Sequence, residues 1–319
     1  MSSSPLHRIL LANAGLFVMV AAWGAFFPIL ERILVGWDVY SATVARQLLG
    51  LVVLSLFLAG DRNRKPLSSV PWLKVFLLGG IGVAIGSLLT SAGVLLSSGL
   101  SSAIISTTNP LTSTLTAAFL FKEPVGTGAV VGTALSVIGG IIAVLGGLSV
   151  EHTRFRGGEI LIILANICWT WMSVAAQRWL AGFSQLQITT LTIGSGAFGL
   201  LLMLPFIVLF DLVHLRMDFS PGMLAMLLFA GALPIAIGNF FWHYGVSQVG
   251  VVVASMYNNL LPAVALAITA LFGGGFSYLQ LAGSVVILAG VLVAQLRALR
   301  TRRQMVRDGT TEDGRRIRQ

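Results

Sequence analysis

The sequence has few charged side chains for its length. Only 10% of its 319 residues are Asp, Glu, Lys or Arg, whereas 56% are hydrophobic. Soluble globular proteins carry about 25% charged residues. The deficit argues against a water-soluble protein and predicts an all-α polytopic membrane protein, because helices satisfy their own backbone groups in lipid.

Acidic side chains are missing from the middle of every apolar run. Of the 11 Asp and Glu residues, Glu123 and Glu159 lie at the ends of runs, and Asp211 lies just after one. A proton-driven carrier needs a group that titrates within the membrane. His243 is the one candidate near the centre of a run. We expect a neutral imidazole that forms hydrogen bonds there, and therefore export mainly down the substrate's own gradient.

Cysteine is also scarce, and the positive charge has no pattern typical of nucleic-acid binding. Cys168 is the only cysteine, which excludes an intramolecular disulfide and a multi-thiolate metal site. No metal or cofactor is expected. The net charge of +9 comes from basic residues at the ends of apolar runs and after Leu296, without interleaved aromatics. This placement is typical of membrane orientation, and no nucleic-acid partner is expected.

Apolar runs of membrane-spanning length recur along the whole chain. A helix needs about 20 apolar residues to cross the hydrocarbon core. The sequence predicts ten transmembrane helices, at 8–30, 39–59, 71–96, 99–121, 127–147, 157–180, 185–210, 220–246, 249–272 and 277–298.

The basic residues predict the orientation of these helices. An even number of helices places both termini on one side of the membrane. If that side is the cytoplasm, only four basic residues precede or follow a helix on the outside: Arg32, Arg154, Arg156 and Arg216. Apart from Arg46, which lies within a helix, the remainder fall inside, as the positive-inside rule requires. We therefore expect both termini in the cytoplasm.

The two halves of the chain resemble each other. A shift of 151 residues superposes Gly99 on Gly250, and it likewise superposes the glycine pair at 132 and 139 on the pair at 283 and 290. This predicts a first five-helix repeat at 1–150, a second at 151–298 and a basic cytoplasmic tail at 299–319. Because five crossings are an odd number, the second repeat must be inverted, an architecture common among alternating-access transporters.

Polar and aromatic side chains form stripes inside several predicted helices. Asn239, Trp242 and His243 are spaced i, i+3 and i+4 on one helix, and residues 166 to 177 form a second stripe. Since polar side chains are penalised in lipid, we expect a central cavity bounded by helices 1, 3, 4, 6, 8 and 9. The alternative is that these groups only form hydrogen bonds between packed helices. The candidate substrate-binding residues are Trp23, Ser106, Thr107, Asn166, Trp169, Asn239, Trp242, His243, Tyr257 and Asn258.

Arg46 is the one basic residue well inside a predicted helix. A cation at this position can attract a substrate carboxylate. The alternative, which we expect, is a side chain that snorkels to the interface or forms a structural pair.

Several of these residues carry a resemblance to a known family. The chain resembles the drug/metabolite transporter superfamily, and within it the EamA-type members. The residues in common are Trp23–Gly24, Arg46, Asn109–Pro110, the segment from Phe121 to Pro124, Gly132 with Gly139, Asn259 to Pro262, Phe272, and Gly283 with Gly290. The second half departs from the pattern at Gly273–Gly275, where the usual Glu is missing.

Two segments narrow the resemblance to one type of transporter within this family. "GNFFWHYGVSQVG" and "MYNNLLP" look most like the YddG-type aromatic amino-acid exporters. The resemblance implies an inner-membrane exporter, not an enzyme, of aromatic and other neutral amino acids, with helices 5 and 10 outside the substrate path. Its partners would be small-molecule amino acids and the lipid bilayer, and the protein would be a monomer or a weak homo-oligomer.

Other functions remain open at this point. An exporter of drugs or other small metabolites is the main alternative, although proton-coupled cation exchange with a mid-membrane Glu is disfavoured. A nucleotide-sugar carrier would need more fixed positive charge than Arg46 supplies. A membrane-embedded hydrolase would need a base and an orienting acid, and His243 has no Asp partner in the sequence pattern.

Overall fold

The regular secondary structure of the protein is helical throughout the residues that the structure describes. The structure is a computed structural model, and it describes residues 5–97, 102, 105–122, 126–145, 157–261, 264 and 278–307. We number the helices α1 Pro5–Gly36, α2 Val39–Gly60, α3 Trp72–Leu96, α4 Asn109–Phe119, α5 Thr127–Leu145, α6 Gly158–Trp179, α7 Gln185–Leu209, α8 Pro221–Val249, α9 Val251–Met256 and α10 Tyr278–Arg307.

Six of these helices are long and apolar enough to cross a membrane, namely α1, α2, α3, α6, α7 and α8. This agrees with the predicted multi-pass architecture. The count of ten crossings stays a prediction, because much of the predicted fourth and ninth helices lies outside the described residues.

The predicted and observed helix ends agree closely for α2, α3, α6 and α7. Two helices end later than predicted: α1 continues to Gly36 and α10 to Arg307. Between α8 and α9 the apolar tract is interrupted at Gly250, which has a φ of 85°. Only glycine adopts this conformation without a steric penalty, so it can end α8 and redirect the chain.

Irregular helical segments recur at matching places in the two halves. α3 contains a π-helical stretch, Leu78–Ile85, and α8 contains another, Gly231–Gly238. A 3-10 turn at Ser106–Thr108 leads into α4, and one at Tyr257–Leu260 follows α9. Contacts between helices follow the same relation, since α3 packs on α6 and α7 while α8 packs on α1 and α2.

Glycines on α5 and α10 show how the two halves are related. A Cβ atom on Gly132 would lie 2.8 Å from the Gly290 carbonyl oxygen, and one on Gly139 would lie 2.7 Å from that of Gly283. Residue numbers rise along one helix as they fall along the other, so α5 and α10 are antiparallel. The 151-residue shift makes these helices equivalent, and equivalent helices running in opposite directions are what an inverted repeat requires.

Two pairs of residues, Asp38 with Arg216 and Lys65 with Gln187, join the halves through hydrogen bonds at opposite ends of α2, and we call each pair a clasp. Before α2 begins, the Asp38 amide donates to the Arg216 carbonyl oxygen (3.0 Å), and the Arg216 amide donates to Asp38 Oδ2 (2.8 Å). After α2 ends, the Lys65 amide donates to Gln187 Oε1 (2.9 Å), and Gln187 Nε2 donates to the Lys65 carbonyl oxygen (2.8 Å). The candidate site lies between these two clasps along the bundle.

Candidate functional site: a central cavity

A cavity lies where helices of both halves meet. Its empty volume is about 750 Å³, a value that includes the open space at its mouth. The lining residues are Trp23, Phe26, Phe27, Arg46, Ser87, Thr90, Ser106, Asn109, Ile162, Asn166, Trp169, Thr170, Pro234, Ile235, Asn239, Trp242, Asn258 and Leu261. None of these residues belongs to α5 or α10.

Two tryptophans from different halves form one aromatic wall. The ring centroids of Trp23 and Trp242 are 5.6 Å apart. Trp23 Nε1 donates to the Pro234 carbonyl oxygen (3.0 Å), and Trp242 Nε1 donates to Ser173 Oγ (2.7 Å). Because each indole has a hydrogen bond to a neighbouring helix, both rings are held in place and present apolar surface to the cavity.

Glycines allow the indoles to lie directly against the irregular helices. A Cβ atom on Gly238 would come within 2.6 Å of Trp23 Nε1, and one on Gly86 within 3.2 Å of Trp169 Nε1. Gly86 and Gly238 lie at the ends of the two π-helical stretches. The two halves therefore contribute matching tryptophan–glycine contacts to the same cavity.

Buried amide groups supply hydrogen-bonding capacity that the described residues leave unused. Asn166 Nδ2, Asn239 Oδ1 and both polar side-chain atoms of Asn258 are buried without a hydrogen-bond partner among them. Nearly all buried polar groups in folded proteins have a partner, and an unpaired one is unfavourable. These atoms are therefore unused donors and acceptors on residues that line the cavity.

Arg46 is buried at the cavity and does not snorkel. Its side chain is 1% exposed, and its Nη2 donates to Ser91 Oγ (2.7 Å) and to the Ser87 carbonyl oxygen (3.3 Å). The Phe26 ring centroid lies 4.9 Å from Cζ. The expectation that this side chain snorkels to the interface was wrong, and among the described residues no carboxylate forms a salt bridge with Arg46. The serines of α3 lie close enough to hold the guanidinium inside the bundle.

Seven of the ten candidate residues line this one cavity: Trp23, Ser106, Asn166, Trp169, Asn239, Trp242 and Asn258. His243 is buried but does not line the cavity, and Gln177 Nε2 donates to its carbonyl oxygen (3.3 Å). Its imidazole Nδ1 is buried without a hydrogen-bond partner among the described residues, contrary to the hydrogen-bonded imidazole that the sequence suggested. Tyr257 also lies outside the lining, with its ring packed edge-on against Phe17 at 5.3 Å. Thr107 lies in the 3-10 turn, but its side chain is outside the described part of the chain.

The placement of His243 has a simple geometric reason. Successive residues of a helix are about 100° apart, so a stripe spaced i, i+3 and i+4 covers a broad sector. Of the three residues in the stripe, only Asn239 and Trp242 line the cavity, and these two cover a narrower sector of the helix than the whole stripe does. His243, at the edge of the stripe, is turned towards neighbouring helices.

Several lining residues had not been selected from the sequence. Phe26, Phe27, Ile162 and Ile235 are apolar residues in apolar helices, so no local signal distinguishes them. Asn109, named above only for the family resemblance, also lines the cavity and accepts from Ser113 Oγ (3.4 Å).

Comparison with known proteins agrees with this architecture. The model of the EamA-like transporter family matches residues 10–145 and again residues 156–295. A solved crystal structure shares the fold over 91% of this chain and 98% of its own, with a TM-score of 0.71 and 17% sequence identity.

Curated relatives of similar length are also transporters by name. The "Uncharacterized transporter YdfC" of Bacillus subtilis (strain 168) is 28% identical over 88% of this chain and 89% of its own. The "Probable terminal-alkyne amino-acid exporter" of Streptantibioticus cattleyicolor is 27% identical over 91% of this chain and 95% of its own. The matches to the family model cover both halves of the sequence and most of its length, and members of this family are transporters rather than enzymes. The chain belongs to the EamA-like transporter family.

Proposed function

We propose that this transporter exports amino acids, chiefly aromatic and other neutral ones, by alternating access around the central cavity. The observation that carries the proposal is one cavity that combines aromatic walls with buried amides for which the described residues provide no hydrogen-bond partner. The similarity to a relative whose name describes an amino-acid exporter supports it.

The chemistry of the cavity suits a small molecule with one apolar end and one polar end. Trp23, Trp242 and Phe27 offer ring surfaces that favour an apolar or aromatic side chain. The Oδ1 atoms of Asn239 and Asn258 can accept hydrogen bonds from an ammonium group, whose three N–H groups are all donors. A neutral amino acid has both ends.

The arrangement of the two halves supports alternating access. The cavity lies between two equivalent sets of helices, and a clasp joins the halves at each end of α2. Opening one clasp while the other stays closed would expose the cavity to one side at a time. Inverted repeats commonly move in this way.

Counterflow in proteoliposomes is the test of the substrate class. Vesicles loaded with unlabelled phenylalanine should accumulate labelled phenylalanine, tryptophan and leucine, whereas protein-free vesicles should not. Absence of counterflow for all three would contradict the proposal. Counterflow of a cationic drug without any amino acid would favour the alternative of a drug exporter.

The location and orientation of the chain are part of the proposal. We place the protein in the plasma membrane, which is the inner membrane in a cell with two, with both termini in the cytoplasm. The support is the bias of Lys and Arg between the predicted loops. With Cys168 replaced by Ser, cysteines introduced at Ser4 or Thr310 should resist a membrane-impermeant maleimide in intact cells and react after lysis. Labelling of either position from outside would overturn the orientation.

His243 is expected not to carry protons. It lies outside the cavity lining, and no carboxylate occupies the middle of a predicted helix. The variant His243→Gln should therefore keep much of its transport activity, and neither protein should respond strongly to an imposed pH gradient. Uptake with and without that gradient measures this. Uphill transport by the parent that is lost in the variant would assign proton coupling to His243.

A further inference from the structure

Arg46 is a cation buried at the cavity, with no carboxylate partner in the part of the chain that the structure describes. Its side chain is 1% exposed and lines the cavity. Among the described residues, no Asp or Glu lies within salt-bridge distance of the guanidinium. An arginine stays charged in proteins, and burying an ion without a partner of opposite sign is unfavourable. Such a site favours an anionic ligand.

Hydrogen bonds hold one edge of the guanidinium and leave other donors free. Nη2 donates to Ser91 Oγ and to the Ser87 carbonyl oxygen, and Ser91 is itself held by Thr43 Oγ1 at 2.7 Å. Nε is buried without a hydrogen bond, and no described residue accepts one from Nη1. A guanidinium has five N–H donors in one plane. Those on Nε and Nη1 remain for an acceptor.

The position of Phe26 is compatible with a ligand at this edge. Its ring lies over the guanidinium, 4.9 Å from Cζ, as in a cation–π contact. A cation–π contact of this kind does not consume a hydrogen-bond acceptor, so the N–H donors of Arg46 still need acceptors. A carboxylate can supply them, because it accepts parallel hydrogen bonds from arginine.

We infer that Arg46 binds the carboxylate of the substrate, so that this transporter selects compounds with a carboxylate group. The inference rests on the proposed function, in which the substrate is an amino acid. It assigns the two polar ends separately: the carboxylate to Arg46 on α2, and the ammonium to the unpaired amide oxygens of Asn239 and Asn258. The side chain then lies against the tryptophans.

Four related compounds separate the two ends. Phenylalanine has both charged groups, phenylalaninamide and 2-phenylethylamine lack the carboxylate, and 3-phenylpropionate lacks the amine. Their binding to the purified full-length protein is measured by the rise in thermal unfolding temperature and by competition with labelled phenylalanine in counterflow. Phenylalanine and 3-phenylpropionate should bind at least about tenfold more tightly than the two compounds without a carboxylate, because loss of one partner of a buried charge pair is costly.

Variants test whether Arg46 makes this distinction. In Arg46→Gln the preference for carboxylates should disappear, and in Arg46→Lys, which keeps the charge, part of it should remain. Arg64→Gln is the matched control, because Arg64 is exposed and lies outside the cavity. It should retain the full preference. If Arg46→Gln does not fold, the comparison of the four compounds on the unmodified protein decides the question.

The outcomes for this inference and for the proposed function differ. Equal binding of phenylalanine and phenylalaninamide to the unmodified protein overturns the role of Arg46, even if amino-acid counterflow is observed. Binding of 3-phenylpropionate that depends on Arg46, without transport of any amino acid, supports the role of Arg46 and overturns the proposed function. Binding of none of the four compounds overturns the inference.

Discussion

Replacing Gly79 by Val is expected to abolish most of the folded protein, whereas the same replacement at Gly80 leaves it nearly unchanged. A Cβ atom on Gly79 would lie 2.5 Å from the Gly196 backbone nitrogen and would overlap the Ser195 side chain. The α3–α7 contact has no room for it, and backbone atoms cannot move aside as a flexible side chain can. No atom lies within 4 Å of a Cβ on Gly80.

The expected difference is large because α3 and α7 meet along this contact. Overpacking a well-packed core lowers the free energy of unfolding by about 1–3 kcal/mol and occasionally more. Because the clash is with backbone, we expect Gly79→Val to lower it by about 3 kcal/mol or more. Gly80→Val should change stability by about 0.5 kcal/mol or less, as is usual at uncrowded positions. Yield of monodisperse protein and the unfolding temperature in detergent provide the measurement. Equal stability of the two variants would show that α3 and α7 do not approach this closely.

Much of the fold could be predicted because apolar length alone identifies membrane helices. The ends of α2, α3, α6 and α7 are within one residue of the predicted ends. The continuation of α1 to Gly36 was missed, since Glu31 and Arg32 suggested an earlier end, yet both are exposed and compatible with a helix. The π-helical stretches have no sequence period of their own and depend on how α3 and α8 pack against their neighbours.

The site could be predicted in part, because polar side chains stand out within apolar helices. Asn166, Asn239 and Asn258 stand out because polar groups are costly in lipid and must face the interior. Phe26 and Phe27 carry no such signal. Arg46 did stand out, but whether it snorkels depends on acceptors such as Ser91, which belong to another helix and are not visible in the sequence of α2.

Replacing Trp242 by Ala is expected to reduce transport at least about tenfold, a loss typical of a central aromatic residue in a binding site. The side chain is 3% exposed, packs 5.6 Å from Trp23 and donates to Ser173 Oγ (2.7 Å). It therefore contributes the wall of the cavity and also fixes its position against α6. Trp72→Ala is the matched control, because Trp72 is 44% exposed and outside the lining. The Trp72→Ala variant should transport phenylalanine at the rate of the unmodified protein.

Two further variants separate the ring of Trp242 from its hydrogen bond. Removing a large buried aromatic costs about 3–5 kcal/mol in a protein core, so initial rates must be normalised to folded protein in the vesicles. Trp242→Phe keeps much of the aromatic surface. Ser173→Ala removes the acceptor of the Trp242 indole, together with the hydrogen bond that Ser173 Oγ donates to the Trp169 carbonyl oxygen, and Ser173 does not line the cavity. Both should retain more transport than Trp242→Ala, with KM for phenylalanine raised less. If folded Trp242→Ala transports phenylalanine as well as the Trp72→Ala control, the substrate does not bind against this wall.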